Sequence, residues 1–148
     1  DELRIYTQVN VTSLGGATGQ RGAGLTVFTS GDLVTGWRCL GSLPTDTLLI
    51  TDLANNQVEA SIAGWPVAEE QIVPVVLTSY PNNLTSAQNL DCHYNLDVSA
   101  LDLTPPATGS SFGLTVSGAT AEFEYLFAIL SHDNGITPMC DGGVCTGG

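Results

Sequence analysis

His93 stands among other polar residues at alternate positions, Asp91, Asn95 and Asp97. Alternate residues of a β-strand point to the same face about seven ångströms apart. Such side chains can share a hydrogen-bond network or supply part of a cation site. A single strand seldom brings enough ligands to one ion, and a solvated outer face produces the same pattern. The solvated face is therefore the favoured interpretation.

Oxygen ligands also concentrate near the end of the sequence, from His132 to Asp141. A hard cation such as calcium takes carboxylate and carbonyl oxygens, so Asp133, Asn134 and Asp141 form the metal site that the sequence predicts. The stretch lacks the EF-hand ligand order, and its Asn-Gly and Asp-Gly pairs are common turn dipeptides. A plain turn is the favoured alternative, and no cofactor is required.

Catalysis has little support in the residue types. Nucleophilic catalysis needs a base beside a nucleophile and a group that orients the base; the histidines are His93 and His132, and the sequence has no G-x-S-x-G motif. The glutamates at positions 69, 70, 122 and 124 are adjacent or alternate within single segments, so they do not flank a substrate as glycosidase carboxylates do. The sequence predicts no catalytic residue and no enzyme, with a small secreted hydrolase ranked last.

Aromatic residues offer a different chemistry, because their rings can stack on sugars. Trp37, Trp65 and Tyr80 are the residues that would form a carbohydrate-binding platform. Trp37 lies two residues before Cys39, and a tryptophan in that position more often packs in the core against a disulfide. The sequence leaves both alternatives open.

The cysteines form an even set, Cys39, Cys92, Cys140 and Cys145, without the paired C-x-x-C spacing of a zinc site. Two disulfides are the better interpretation. Cys140 and Cys145 enclose a glycine turn and can close a small ring, which leaves Cys39 to bond Cys92 across the fold. Three connectivities are open in principle, and we prefer this one.

The charge balance narrows the partners. The sequence has no lysine, three arginines and a net charge of -12. Such a chain repels polyphosphates and anionic headgroups, so nucleic acid is excluded as a partner, and no apolar run is long enough to insert into a membrane. Sequons at Asn10 and Asn83 predict N-glycosylation, and with the oxidisable cysteines they indicate an extracellular glycoprotein, secreted or at the cell surface.

The first segment has the clearest strand pattern. Residues 3–12 alternate, with one apolar face that consists of Leu3, Ile5, Thr7, Val9 and Val11. A glycine-rich connection over residues 15–22 follows. A tethered amphipathic strand can pair within its own sheet or complete the sheet of a neighbour, so residues 1–13 are the predicted edge or exchanged strand, and Leu3 to Val11 its assembly face.

Further strands are predicted at residues 24–29, 34–40, 47–51, 57–63, 72–80, 90–97, 112–116 and 121–130. Pro74 predicts an edge or a bulge in its strand, residues 121–130 read as a strand that becomes buried on both faces, and residues 67–72 allow one short helix. Short strands at near-regular spacing predict an all-β, antiparallel β-sandwich of about 8–9 strands, Ig-like or jelly-roll-like, as a single secreted domain over residues 1–148.

These patterns favour an extracellular structural or adhesive subunit. We expect it to self-associate through strand edges into a fibre, a pilus-like filament or a surface layer. A monomeric secreted module that binds a glycan is the alternative. Fold alone does not decide between them.

Overall fold

The chain folds into two antiparallel sheets. A computed structural model describes residues 2–16, 19–30, 35–82, 84–85, 87–104, 111–131, 139–141 and 144–146. Its strands are β1 Glu2–Leu14, β2 Gly22–Thr29, β3 Trp37–Ser42, β4 Thr47–Asp52, β5 Val58–Ala63, β6 Ile72–Pro81, β7 Gln88–His93, β8 Asp97–Leu103, β9 Ser111–Ser117, β10 Ala119–Ser131, β11 Met139–Asp141 and β12 Val144–Thr146, with a 3₁₀ turn at Leu43–Thr45. The predicted all-β sandwich is confirmed.

The strand order fixes which strands lie at the edges. The first sheet has the order β10-β1-β6-β7-β8, and the second has the order β5-β4-β3-β2-β9. β5 contacts β8 along one side of the sandwich, and β9 contacts β10 along the other side. The short β11 and β12 pair with each other. The edges of the two large sheets are therefore β10 and β8, and β5 and β9.

The core lies between the inner faces of the sheets. Period-two alternation places Ile5, Val9 and Val11 of β1 in this core, opposite buried residues of β2 such as Leu25. Cys39 of β3 is bonded to Cys92 of β7, with 6.2 Å between their Cα atoms. The disulfide joins the two sheets across the core, as predicted.

β1 is an interior strand of the first sheet, next to the edge strand β10. It pairs with β10 on one side and with β6 on the other, from Leu3 onward to Asn10 on both sides. The prediction that β1 lies at an edge is therefore corrected. The backbone N–H and C=O groups on both sides of β1 already face a strand of the same chain. Pairing within its own sandwich, the alternative left open by the sequence, is what the structure shows.

The segment 90–97 is a hairpin and not a single strand. β7 ends at His93, β8 begins at Asp97, and these two residues pair directly. Asn95 has φ 60, in the left-handed region, and asparagine tolerates that conformation better than most residues. The polar side chains expected on one strand are therefore divided between two strands and their turn.

Two local predictions also change. Pro74 pairs with Gln8 of β1, but the ladder with β7 begins only at Val76, so β6 is locally an edge at Pro74 and interior beyond it. The short helix expected over residues 67–72 is absent from this described segment. Glu70 has φ 61 there, which interrupts any right-handed helix, and its N–H donates to the Val11 carbonyl.

β10 departs from the prediction in its second half. The apolar run was expected to become buried on both faces, whereas Tyr125, Leu126, Phe127, Ile129 and Leu130 are all exposed. The physical reason is position: β10 is an edge strand, and no further described strand continues the sheet beyond it.

Candidate functional site

The two tryptophans predicted for carbohydrate binding are buried. Trp37 is 4% exposed and Trp65 is 1% exposed. Trp37 packs edge-on against Phe28 with 5.8 Å between the ring centroids, and Trp65 packs edge-on against Tyr94 at 4.7 Å. Neither ring presents a face to solvent on which a sugar could stack. The prediction of a platform from these residues is therefore corrected in favour of core packing.

Tyr80, the third predicted aromatic, lies on the outer face of β6. Burial and a hydrogen bond with Asp91 of the neighbouring strand raise the pKa of its phenol. Tyr80 remains partly exposed, but the two predicted partners of its platform lie in the core.

The predicted calcium site falls mostly outside the described residues. Asp133 and Asn134 lie outside them, and only the backbone of Asp141 is described, in β11. Elsewhere in the described ranges, no group of three or more His, Cys, Asp or Glu side chains is arranged to hold a metal ion. Calcium binding by these residues stays a prediction.

The polar hairpin forms a simple pair. His93 Nδ1 lies 2.7 Å from Asp97 Oδ1 across the hairpin, and both side chains are exposed. The contact orients the imidazole but leaves it in solvent, which fits the solvated face that the sequence favoured. His132, the other histidine considered for catalysis, lies outside the described residues.

The predicted disulfide between Cys140 and Cys145 and the two predicted glycosylation sites are only partly covered by the described residues. Backbone pairing places Cys140 opposite Cys145 in the β11–β12 ladder, and the disulfide between them stays a prediction. Asn10 lies on β1 between β10 and β6, and its Oδ1 is buried without a hydrogen-bond partner in the described structure. Asn83 lies outside the described residues, beside the exposed Leu84 and Thr85.

All three arginines bond within the chain. Arg4 Nε donates to Glu2 Oε1, Arg21 Nη1 donates to the Gly15 carbonyl, and Arg38 Nη2 donates to Gln20 Oε1. Burial lowers the pKa of the Arg38 guanidinium. Arg4 is thus paired with a carboxylate, whereas Arg21 and Arg38 donate to neutral oxygens.

A surface that the sequence did not single out lies where β9 meets β10. Phe112, Leu114 and Val116 of β9 stand opposite the core residues Val27, Leu25 and Ala23 of β2, so they belong to the inner face of the second sheet. Each is nevertheless exposed. The sandwich is therefore open along this side, with core-facing side chains in contact with solvent.

The second half of β10 completes this surface. Leu126 and Leu130 stand opposite Thr7 and Leu3 on the inner face of the first sheet. Together with Leu3, Phe112, Phe127 and Ala128 they line a groove of about 610 Å³. We call the exposed side chains of β9 and β10 the β9/β10 surface; its members are Phe112, Leu114, Val116, Tyr125, Leu126, Phe127, Ile129 and Leu130.

Aromatic rings cluster on the outer side of the same strand. Phe127 stacks on Tyr6 of β1 with 4.7 Å between centroids and 11° between planes, and Tyr125 lies 5.6 Å from Phe127. The β1–β10 register shifts between Thr7 and Val9, and the Thr7 hydroxyl donates to the Tyr125 carbonyl beside this irregularity. The bulge accommodates an extra β10 residue between Phe123 and Leu126, while Tyr125 and Phe127 share a face because they are alternate residues of the strand.

Sequence reasoning missed this surface because its signal is ambiguous. The stretch of residues 125–130 has no charge and few polar atoms, which is typical of a strand covered on both faces and equally of an exposed edge that pairs with a partner. Only the strand order decides, and it places β10 at the edge.

Comparison with known proteins supports the fold. No protein-family model matches the chain, and no curated protein matches it. Among solved structures, the carbohydrate-binding module CBM66 from Bacillus subtilis superposes with a TM-score of 0.68 at 17% identity, over 86% of this chain and 74% of that one.

Two larger proteins contain a similar domain. A mutant of the GH43 protein BlXynB from Bacillus licheniformis gives a TM-score of 0.58 at 12% identity, over 88% of this chain and 28% of that one. The tail fiber protein gp63.1 from an E. coli phage gives 0.52 at 14% identity, over 84% of this chain and 14% of that one. These likenesses establish the β-sandwich fold. They assign no site.

The described ranges contain no helix long and apolar enough to cross a bilayer.

Proposed function

We propose that this protein is an extracellular structural or adhesive subunit that assembles into a fibre, a pilus-like filament or a surface layer through the edge strand β10. The observation that carries the proposal is the β9/β10 surface, in which a sheet edge left open by the described strands coincides with apolar side chains on both faces of the strand. Natural proteins usually protect long edges with charges, prolines or bulges. From Tyr125 to Ser131, β10 contains neither a charged residue nor a proline.

The size of this surface supports an interface. Its eight side chains are 39% to 54% exposed. With fully exposed areas on the order of 200 Å² for large apolar side chains, these fractions amount to roughly 700 Å². The largest apolar patch on a typical monomer is about 300–600 Å², and one partner contributes about 800 Å² to a standard interface. The exposed area is therefore what a stable contact would bury.

The extracellular setting rests on independent features. A disulfide such as Cys39–Cys92 forms and persists in oxidising compartments. The net charge of -12 makes two copies repel each other except where their uncharged surfaces come together. The β-sandwich of a phage tail fiber protein shares this fold. The role we propose is non-catalytic.

Exchange of the N-terminal strand remains part of the proposal. β1 lies between β10 and β6, so the strand of a neighbouring copy in the same slot would make identical contacts. The glycine-rich connection that begins at Gly15 would allow β1 to reach across. Removing residues 1–13 would then leave a chain that binds a peptide of that sequence and no longer assembles.

The mass of the full chain in solution, measured across a concentration series, tests assembly through β10. We expect an oligomer that falls to monomer in Ile129→Lys. Ile62→Lys is the matched control and should leave the mass unchanged, because Ile62 is an exposed isoleucine on β5, an edge strand of the second sheet on the side of the sandwich away from β10. A wild-type chain that stays monomeric at every concentration would overturn the proposal.

Carbohydrate binding is the second candidate, favoured by the exposed rings of Tyr125 and Phe127 beside the partly buried Tyr6 and by the shared fold with CBM66. Its test is a polysaccharide and glycan panel with Tyr125→Ala as the variant that should lose binding. A monomer that binds a glycan through Tyr125 would support this function in place of assembly.

A further inference from the structure

The distribution of charge along β10 selects a partner and a register. Glu122 and Glu124 lie in the first half of the strand, and no charged residue follows them up to Ser131. Two copies that each carry a net charge of -12 repel over most of their surfaces. The uncharged half of β10 is therefore the part of this edge at which a second copy can approach closely.

We propose that β10 pairs antiparallel with β10 of a second copy about a two-fold axis at Ala128, which joins the two first sheets into one continuous sheet. This inference rests on the proposed function and names the partner. In this register Leu126 faces Leu130 of the second copy on the inner side, and Phe127 faces Ile129 on the outer side. Every residue from 125 to 131 then has an uncharged residue opposite it.

Other registers of the same strand are less favourable. An axis at Phe127 places Glu124 opposite Leu130, and an axis at Leu126 places Glu124 opposite Ala128 and Glu122 opposite Leu130. Each of these buries a carboxylate against apolar side chains, which is costly without a partner. An axis beyond Ala128 shortens the paired stretch. The register at Ala128 gives the longest overlap without a carboxylate in it.

Symmetry makes the same surface complementary to itself. A two-fold contact uses one patch on both copies, so Leu126 and Leu130 of each copy close the groove of about 610 Å³ that they line. Backbone hydrogen bonds along the new ladder satisfy the outward N–H and C=O groups of both edges.

The chain's own C-terminal segment is the rival occupant of this groove. Residues 132–148 contain few large apolar side chains, five glycines and two aspartates, which is a poor composition for filling it. Within that segment β11 and β12 are three residues each and pair with each other. A second copy instead offers the whole uncharged half of β10.

Disulfide trapping in the full-length chain tests the register. Ala128→Cys should shift to a covalent dimer on non-reducing gels under mild oxidation, because directly opposite Cα atoms lie about 4.5–5.5 Å apart, within disulfide reach. Leu126→Cys alone should not, since two copies of residue 126 lie four residues apart along the ladder, about 14 Å. A mixture of Leu126→Cys and Leu130→Cys should form the heterodimer.

The outcomes separate this inference from the proposed function. An oligomer in which neither Ala128→Cys nor the mixture cross-links overturns the β10 pair and its register while leaving assembly intact. A wild-type monomer overturns assembly and the pair together. A monomeric Leu126→Cys variant whose introduced thiol resists maleimide labelling, although Leu126 is 39% exposed, shows that the chain's own segment covers the groove, which also overturns the pair.

Discussion

The indole of Trp65 donates its Nε1 hydrogen to the backbone carbonyl of Tyr94 at 2.6 Å, and the two rings pack edge-on at 4.7 Å. Trp65 follows β5 of the second sheet, and Tyr94 follows β7 of the first. Both residues are fully buried. The bond therefore fastens the β7–β8 hairpin to the loop after β5 with one donor and one acceptor, in a part of the core remote from the β9/β10 surface.

Trp65→Phe removes that donor and leaves a buried carbonyl without its partner. An unsatisfied buried acceptor costs about 1–3 kcal/mol, in addition to the lost ring volume. Trp37→Phe is the control for volume, since Trp37 is also buried but packs edge-on against Phe28. Chemical denaturation should show a larger loss of unfolding free energy for Trp65→Phe than for Trp37→Phe. Equal losses would mean that the hydrogen bond does not contribute measurably to stability.

Gly41→Ala should also destabilise the core, because a Cβ at residue 41 would lie 2.3 Å from the Trp65 ring. Overpacking of this kind costs about 1–3 kcal/mol. Gly113→Ala is the matched control, with its nearest contact at 3.7 Å, and should change the unfolding free energy by less than about 0.5 kcal/mol. Combining Gly41→Ala with Trp65→Phe should give less than the sum of the two losses, because the two sites are in contact.

Reduction of Cys39–Cys92 should lower the unfolding free energy by about 4 kcal/mol, because the bond closes a loop with a sequence separation of 53. Urea titration with and without reductant, compared with a Cys39→Ala/Cys92→Ala double variant, measures the effect. Further loss on reducing that double variant would come from Cys140 and Cys145. Mass analysis of an unreduced digest should find those two cysteines in one linked peptide, and alkylation of either in the native, unreduced protein would contradict the predicted pair.

Alkaline titration should reveal Tyr94 as a late-ionising phenol. Burial raises the pKa of Tyr94 above its ordinary value of 10.0, so folding favours the neutral form. The stability from this group is complete below the unfolded pKa of about 10 and is lost as pH rises towards the folded value. Absorbance near the phenolate band should show a step in native protein that is delayed relative to protein in guanidinium and absent from Tyr94→Phe. Coincident native and denatured titrations would contradict the assignment.

Glycan occupancy should differ between the sequons in a host that performs N-glycosylation. Leu84, beside Asn83, is 93% exposed, whereas the amide oxygen of Asn10 is buried between neighbouring strands. We expect Asn83→Gln to remove the mass released by an amidase that cleaves N-glycans, and Asn10→Gln to leave it unchanged. The reverse pattern would show that Asn10 is modified before the sheet forms.

Local patterns were enough to predict most strands. The alternation over residues 3–12 is a property of consecutive residues, and it appears in β1 with the predicted apolar face in the core. The strand predicted at residues 112–116 appears within β9. The Cys39–Cys92 bond was also predictable, because the short spacing of Cys140 and Cys145 leaves one remaining pair. In each case the information lies within one segment or in the number and spacing of the cysteines.

Strand order required the structure. Nothing local distinguishes β10 as an edge from β10 as a covered strand, so the sequence predicts burial on both faces for residues 121–130. The left-handed Asn95 was similarly hidden, since the alternation of residues 90–97 continues through the turn. The burial of Trp37 and Trp65 depends on which strands cover them, and that too is non-local.

The pairing of β1 with β10 brings the first strand of this sequence against one that begins more than a hundred residues later, with Glu2 beside Ser131. Contacts so distant in sequence form slowly, because closing the long intervening loop costs conformational entropy before the contacts can stabilise the fold. During synthesis β1 therefore lacks its neighbour β10 until residues 119–131 have been made. The first sheet can be completed only after Ser131 has been synthesised, so a chaperone or a translocation channel that shields β1 has the whole of that interval in which to act.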